Sequence, residues 1–419
     1  MLVATVLTRP HIDWRLRAHP VDTLDLLSER DMRRYRLQRR LIGPVYRPAQ
    51  VIRHEKQVDK VTEMAIKKLR SLDGAQVDLK EWMHMIVVEC LGAVVLSWSP
   101  GMLDQGTDGG TGAHSYRSWR RKGVFGLFPL VAKLEMCSGN VGRAFSLLWR
   151  VNFRTPPNFR PFFPDVGRRI GRRLKIARQG KKDDRNDLAA DLIRLHHDKV
   201  EFTETYLRKM IMTNFGAGHE TMASTLTSIM AMVGSHPGVQ QTLADDVQHM
   251  GKQPSYSRVG EAPYLQAVIK ESKRLHPVIA AALPRRVPGA GLHLHGVRIP
   301  ASTTVGCSPV ALHRNEDICG PQPHAFEPSR WLDSERAKDM EFFSLAWGGG
   351  GRTCPGRHLA EMMVWKVLVA LFREFEVEVE IPEEKHMPAY FLSMMTGVKA
   401  RFVLRDISSG TKGHKPSFQ

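Results

Sequence analysis

The chain has 419 residues, 42% of them hydrophobic and 25% charged, an ordinary globular balance long enough to bury a large core. Its 61 Lys and Arg against 43 Asp and Glu leave a formal charge of +18, which suits an anionic membrane, an acidic protein partner or nucleic acid. Aromatic residues do not interleave with the basic runs, which excludes the common nucleic-acid readers, and Cys90, Cys137, Cys307, Cys319 and Cys354 form no CxxC pair, which excludes zinc and disulfide scaffolds and predicts a reducing compartment.

Met1 to Leu7 is apolar, but Arg9, His11, Asp13 and Arg15 follow at once. That run is too short to span a bilayer and lacks a secretory cleavage pattern, so no transmembrane segment is expected. Residues 1–30 read as an uncommitted N-terminal segment, 31–405 as one domain, and 406–419 as a polar, disordered tail. Arg30 to Leu41 is a basic helix with a solvated charged face. Helical spacing continues over 51–72 and 77–98, and Gly101 to Gly112 reads as a loop. Pro156, Pro157, Pro161 and Pro164 interrupt the chain, and Arg168 to Arg185 is a second solvated basic run.

Phe202 to Gly234 predicts a long helix, opened by Thr203 and Glu204 and closed by Gly234, Ser235, His236 and Pro237. Its middle holds Gly216 and Gly218, each costing about 1 kcal/mol relative to alanine in a helix. Two readings compete: close packing on another helix, or a groove over a flat cofactor, with Thr221 bonding back to the Ala217 carbonyl. Pro263 to His276 predicts a helix carrying Glu271 and Arg274 on one face. Short strands follow over 283–288 and 296–305. An interior helix spans 357–375, with a strand at 377–380 and a hairpin over 389–404.

Trp347-Gly-Gly-Gly-Gly-Arg352-Thr-Cys354-Pro355-Gly356 precedes that interior helix. Pro355 suits a first helical position, and a cysteine at a helix N-terminus has a lowered thiol pKa and becomes a thiolate ligand. The alternative is a flexible loop holding a buried free cysteine. A phosphate loop is excluded, because no Lys-Ser/Thr pair follows the glycines.

The loop resembles the haem-binding segment of cytochromes P450, with Cys354 in the axial position, Trp347 where Phe is usual, and Gly350 and Gly356 at motif glycines. Ala217 to Met222 is similar to the oxygen-activation segment, in which Glu220 and Thr221 match and Met222 departs from the second hydroxyl residue. Glu271, Arg274 and Arg330 resemble the family's structural triad. The resemblance covers about 30 to 405 and implies a mainly α fold with a small β portion. Because only about thirty residues precede the basic helix, part of the N-terminal sheet is expected to be missing and the chain looks truncated. The closest likeness is to eukaryotic microsomal enzymes, especially fungal ones of secondary metabolism or catabolism.

What the resemblance implies is a monooxygenase holding haem b, its iron ligated by Cys354. Arg39, Arg285 and Arg352 would pair with the propionates and Tyr35 would stand on the proximal side; Arg286 competes with Arg285. Glu220 and Thr221 would move protons. Segments near Thr213, Val278 to Leu283 and Met394 to Met395 would wall an apolar pocket. Electrons would come from an NADPH-cytochrome P450 reductase docked on Arg33, Arg34, Arg36 and Arg40. The site of action would be the cytosolic face of the endoplasmic reticulum, with peripheral membrane contact; as written, the chain reads as cytoplasmic. The alternatives are a truncated, non-catalytic haem-binding protein and, less favoured by Glu220 and Thr221, an isomerase or dehydratase needing no reductase.

Overall fold

The computed structural model describes residues 26, 29, 31–127, 138–148, 159–180, 184–283, 285–383 and 391–405. The expectations for the N-terminal leader, Cys137, Pro156, Pro157 and the tail lie outside these residues. Helices of ten or more residues are α1 (Met32–Ile42), α2 (Glu55–Arg70), α3 (Leu79–Leu96), α4 (Thr111–Leu127), α5 (Gly139–Leu148), α6 (Phe163–Arg178), α7 (Leu188–Asp198), α8 (Glu204–Gly234), α9 (Pro237–Gln248), α10 (Pro263–Leu275), α11 (Ser334–Phe343) and α12 (Arg357–Glu374). The strands are β1 (Val77–Asp78), β2 (Arg285–Arg286), β3 (Leu292–Leu294), β4 (Val297–Ile299), β5 (Thr304–Val305), β6 (Phe375–Glu380) and β7 (Lys399–Leu404). The fold is mainly α with a small β portion, as the sequence predicts.

Caps set the helix starts. Asp31 accepts from the N–H groups of Arg33 and Arg34 at α1, Asp78 from Glu81 at α3, and Thr203 from Tyr206 at α8. Both α3 and α12 are buried on nearly every side, so they form the centre of the core with α8. Lys366 is the interior exception in α12. Its ammonium meets Asp59 of α2 at 2.6 Å and the Pro254 carbonyl at 2.8 Å, so the charge is paired where it is buried.

The sheets are antiparallel: β1, β7 and β6 in that order, β2 with β5, and β3 with β4. The β3–β4 hairpin turns on His295 and Gly296, both at positive φ, as the twist of a two-residue hairpin requires. Gln240 of α9 adds to the larger sheet by bonding both the N–H and the carbonyl of Val377.

Three local expectations are corrected. Within 101–112, Met102–Gln105 forms a helical turn and α4 begins at Thr111, because Gly101 and Gly106 at positive φ bracket a turn instead of dissolving it. The expected hairpin over 389–404 is not one. Residues 389 and 390 lie outside the described residues, Leu392 bridges to Ile279, and β7 pairs with β6 and β1. The basic run from Arg168 is not wholly solvated, since Arg173 is buried in a two-pronged pair with Asp187 at 2.7 and 2.9 Å.

Candidate haem-thiolate active site

Cys354 sits in a loop whose bends are set by glycine. Gly348 and Gly350 take φ of +75° and +58°, angles that a β-carbon disfavours. The bend lets the Cys354 N–H donate to the Trp347 carbonyl at 2.8 Å, and the Tyr35 hydroxyl of α1 donates to the Gly351 carbonyl at 2.8 Å. Pro355 is not the first helical residue as expected. Gly356 caps α12, so both Pro355 and Cys354 precede the helix. The expected fall in thiol pKa is also corrected: burial pushes the Cys354 thiol up, and the Gly356 N–H and the Arg39 charge, which act the other way, do not outweigh it.

The arginines gather from three segments. Arg39 of α1 is half-buried, lies within electrostatic reach of Cys354, and has a buried Nη1 without a hydrogen-bond partner. Arg352 lies 3.7 Å over the Tyr35 ring and donates to the Glu29 carbonyl at 2.7 Å. Arg285 is half-buried and close enough for its charge to act on Arg352, whereas Arg286 is exposed. Trp347 lies under the Lys273 ammonium, 4.5 Å from the ring centre.

On α8 the two glycines do different things. A β-carbon on Gly218 would lie 3.2 Å from Leu91 of α3, so this glycine permits close helix packing. One on Gly216 would meet nothing within 4 Å, and Gly216 and Ala217 are exposed although most of the helix after them is buried. Close helix packing therefore holds at Gly218, while Gly216 faces open space. Thr221 donates to the Ala217 carbonyl at 2.6 Å, as expected. Tyr46, which follows α1 and lies within electrostatic reach of Cys354, bonds Asn214 of α8 at 3.0 Å and so ties the cysteine side to this helix.

Glu220 turns into the protein. It meets Lys80 at 3.1 Å and faces His84 and His219 at 3.7 and 3.9 Å. Burial opposes its ionisation, but Lys80, His84 and His219 outweigh that and hold the carboxyl below its usual range. The reading of the sequence missed Lys80, His84 and Asp108. The available signal was Lys80 and His84, four apart on one face of an otherwise apolar helix.

Further out, Glu271 receives Arg274 through two bonds of 2.8 Å, Arg330 at 2.9 Å, Trp331 at 2.8 Å and the Glu327 N–H at 3.0 Å. Val278, Ile279 and Leu283 pack against Phe391, Leu392 and Met394, joined by Tyr116 and Trp119 of α4, which the sequence had not marked.

The family model described as Cytochrome P450 matches residues 17–401. This chain is a cytochrome P450. It is 54% identical to the cytochrome P450 monooxygenase sdnT of Sordaria araneosa, over 96% of this chain and 78% of that one. It is 26% identical to the cytochrome P450 monooxygenase mpaDE of Penicillium roqueforti over 86% of this chain and 43% of that longer one. It is 28% identical to a pisatin demethylase of Fusarium vanettenii, over 85% and 68% of the two chains.

The protein is therefore an oxidoreductase, a haem-thiolate monooxygenase that works with O2, an organic substrate and a redox partner; the comparisons support this reading and not the non-catalytic one. The residues of this P450 fit haem. The sulfur stands in a glycine bend, the buried Arg39 Nη1 has no hydrogen-bond partner, and Gly216 faces open space on α8. Among the described residues, no helix is long and apolar enough to cross a membrane.

Proposed function

We propose that this P450 inserts one oxygen atom of O2 into a C–H bond of a small apolar compound, in fungal secondary metabolism or in breakdown of a foreign molecule. The half-buried Cys354 thiol in its glycine bend, with Arg39 beside it, carries the assignment of the axial ligand. Bound haem supplies the one-electron and oxygen chemistry, tuned by the thiolate. The chain's own contribution is binding, orientation and proton supply. Arg39 and Arg285 would hold the haem carboxylates, with Arg352, stacked on Tyr35, beside them. The open space at Gly216 would give the macrocycle room, and the Trp347 carbonyl holds the Cys354 N–H.

Thr221 holds a proton at Oγ1 on the open side, and Glu220 supplies it as a general acid. The patch of Ile279, Leu283, Trp119, Phe391 and Met394 walls an apolar pocket that excludes water. The exposed Arg33, Arg36 and Arg40 of α1 receive the acidic face of an NADPH-cytochrome P450 reductase, at the cytosolic surface of the endoplasmic reticulum. Likeness to a pisatin demethylase makes loss of a methyl group after its hydroxylation one form of the reaction to screen.

The test is purified protein, reduced under carbon monoxide and then supplied with reductase, NADPH and a panel of apolar substrates. The red-shifted Soret band of thiolate haem together with hydroxylated product is expected. A cysteine-independent band removes Cys354 from the role.

A further inference from the structure

The acid role of Glu220 leaves a gap, because this carboxylate is buried away from solvent and needs its own source of protons. Lys80 and His84 of α3 both abut it. Lys80 fixes Oε2, while His84 Nε2 stands 3.7 Å from Oε1. On its other side, His84 Nδ1 stands 3.0 Å from Asp108 Oδ2.

Asp108 lies in the turn before α4, next to exposed Thr107. Its carboxylate accepts the N–H groups of Gly110 and Gly112 at 2.7 Å each, and its own N–H donates to half-exposed Glu81 at 3.2 Å. Burial pushes the Asp108 carboxyl up, but His84 and the two glycine N–H groups outweigh it and hold it low. Asp108 is itself buried, 5% exposed, one residue from the surface at Thr107, and one imidazole spans the distance from its carboxylate to the carboxylate beside Thr221. Neither ring nitrogen of His84 closes an aligned hydrogen bond, although the residue is fully buried. His84 is thus held close to Asp108 at Nδ1 and only loosely to Glu220 at Nε2, an arrangement in which a proton can be passed on instead of locked in place.

We infer that Asp108 and His84 feed protons to Glu220 from the α4 turn. Neither touches haem or substrate; both are positioning residues that act through Glu220, and the inference rests on its acid role. In the step, Asp108 takes a proton from water and gives it to His84 Nδ1 as the Nε2–H bond breaks and Glu220 Oε1–H forms. Loss of the Nδ1 proton to water and reprotonation of Nε2 from water restore the first tautomer and reset the relay. His219 does not compete, because its Nδ1 is tied to the Phe215 carbonyl at 2.7 Å and burial keeps the ring neutral, pushed down to about 4.

His84, His219 and Glu220 each offer a ligand atom within 4.8 Å of the others, a spacing that could also take a divalent cation. The Lys80 ammonium, 3.1 Å from the same carboxylate, already supplies positive charge there, which favours the relay.

The experiment uses the holoenzyme with reductase, in H2O and in D2O, for Asp108→Asn, His84→Gln and the double variant. Asparagine keeps an acceptor for one of the two glycine N–H groups and the same volume, so Asp108→Asn carries the test should His84→Gln fail to fold. Both single variants are expected to retain the carbon-monoxide band and the substrate-induced spectral shift. Product per NADPH should fall about 10-fold and the solvent isotope effect should rise, with the double variant no worse than either, as for residues in series. In protein labelled with 15N-histidine, the His84 nitrogens should exchange in the wild type and lock into one tautomer in Asp108→Asn, a readout that needs no turnover. Loss of the carbon-monoxide band at the outset would mark failure of the haem assignment, and the 15N spectra would still read the relay. Unchanged coupling, isotope effect and tautomer exchange in Asp108→Asn overturn it. So does one tightly held divalent ion per chain that His84→Gln removes.

Discussion

Glu220 and Thr221 are neighbours on α8 yet face opposite environments: Glu220 is 1% exposed against Lys80, while Thr221 is half-buried and bonds the exposed Ala217. Successive helical residues point about 100° apart, so one step along the chain crosses from the charged interior to the open groove. Removing the hydroxyl should therefore cut the last link without disturbing the cluster behind it. Thr221→Ala is expected to keep the fold and the haem spectrum while peroxide release rises and product per NADPH falls about 10-fold or more, measured by parallel peroxide and product assays.

The two glycines of the same helix should respond with opposite signs. Gly218→Ala sets a methyl 3.2 Å from buried Leu91 and is expected to destabilise the fold by about 1–3 kcal/mol. Gly216→Ala enters open space and is expected to stabilise the helix by up to about 1 kcal/mol while narrowing the groove. Urea melts and haem titration separate these effects; equal destabilisation by both would contradict the assignment.

Glu271 holds two buried arginines, so its loss strands both charges. Glu271→Gln is expected to cost about 3–5 kcal/mol and to lower recovery of folded, haem-bearing protein. Substituting Arg330 in a Glu271→Gln background should cost much less than substituting it alone, because the shared partner has already gone. A double-mutant cycle by urea unfolding measures this.

Two buried histidines predict loss of stability in mild acid. The Leu345 N–H donates to His313 Nε2 at 2.9 Å, a bond that only the unprotonated nitrogen accepts, and burial pushes His313 down to about 4, as it does His219. The folded pKa lies below the unfolded value near 6.5, so the unfolded chain binds more protons between these limits. Stability is then complete above about pH 6.5 and falls as pH drops toward 4, by about 2 kcal/mol per histidine at pH 5. His313→Gln should flatten part of this slope in urea melts at pH 7.5 and 5.

Burial keeps the Cys354 thiol protonated in the free chain, yet iron ligation requires the thiolate. Haem uptake at neutral pH should therefore release about one proton per haem, read by an indicator dye in weak buffer. Cys354→Ser should lose that proton and the thiolate band together.

Much of the candidate site was legible in the sequence because its residues stand at short, contiguous spacings. The Cys354 loop, Thr221 four residues after Ala217, and Glu271 three before Arg274 each occupy one or two turns of chain, and local geometry alone brings them together. Bends and starts in that same loop were less legible. Pro355 fell outside the helix, and the thiol rose instead of falling, because burial is set by distant segments such as α1.

The sequence by itself determined the helical class, the long α8, the cysteine loop and the acid–hydroxyl pair, since periodicity and glycine chemistry act within a few residues. Only the tertiary structure decided that Gly218 packs while Gly216 stays open, that Arg285 and not Arg286 is half-buried near Arg352, and that Lys80 and His84 meet Glu220 with Asp108 behind His84. Those outcomes depend on which helix lies across from which. Burial and charge pairing are properties of the space between segments, and no local spacing encodes them.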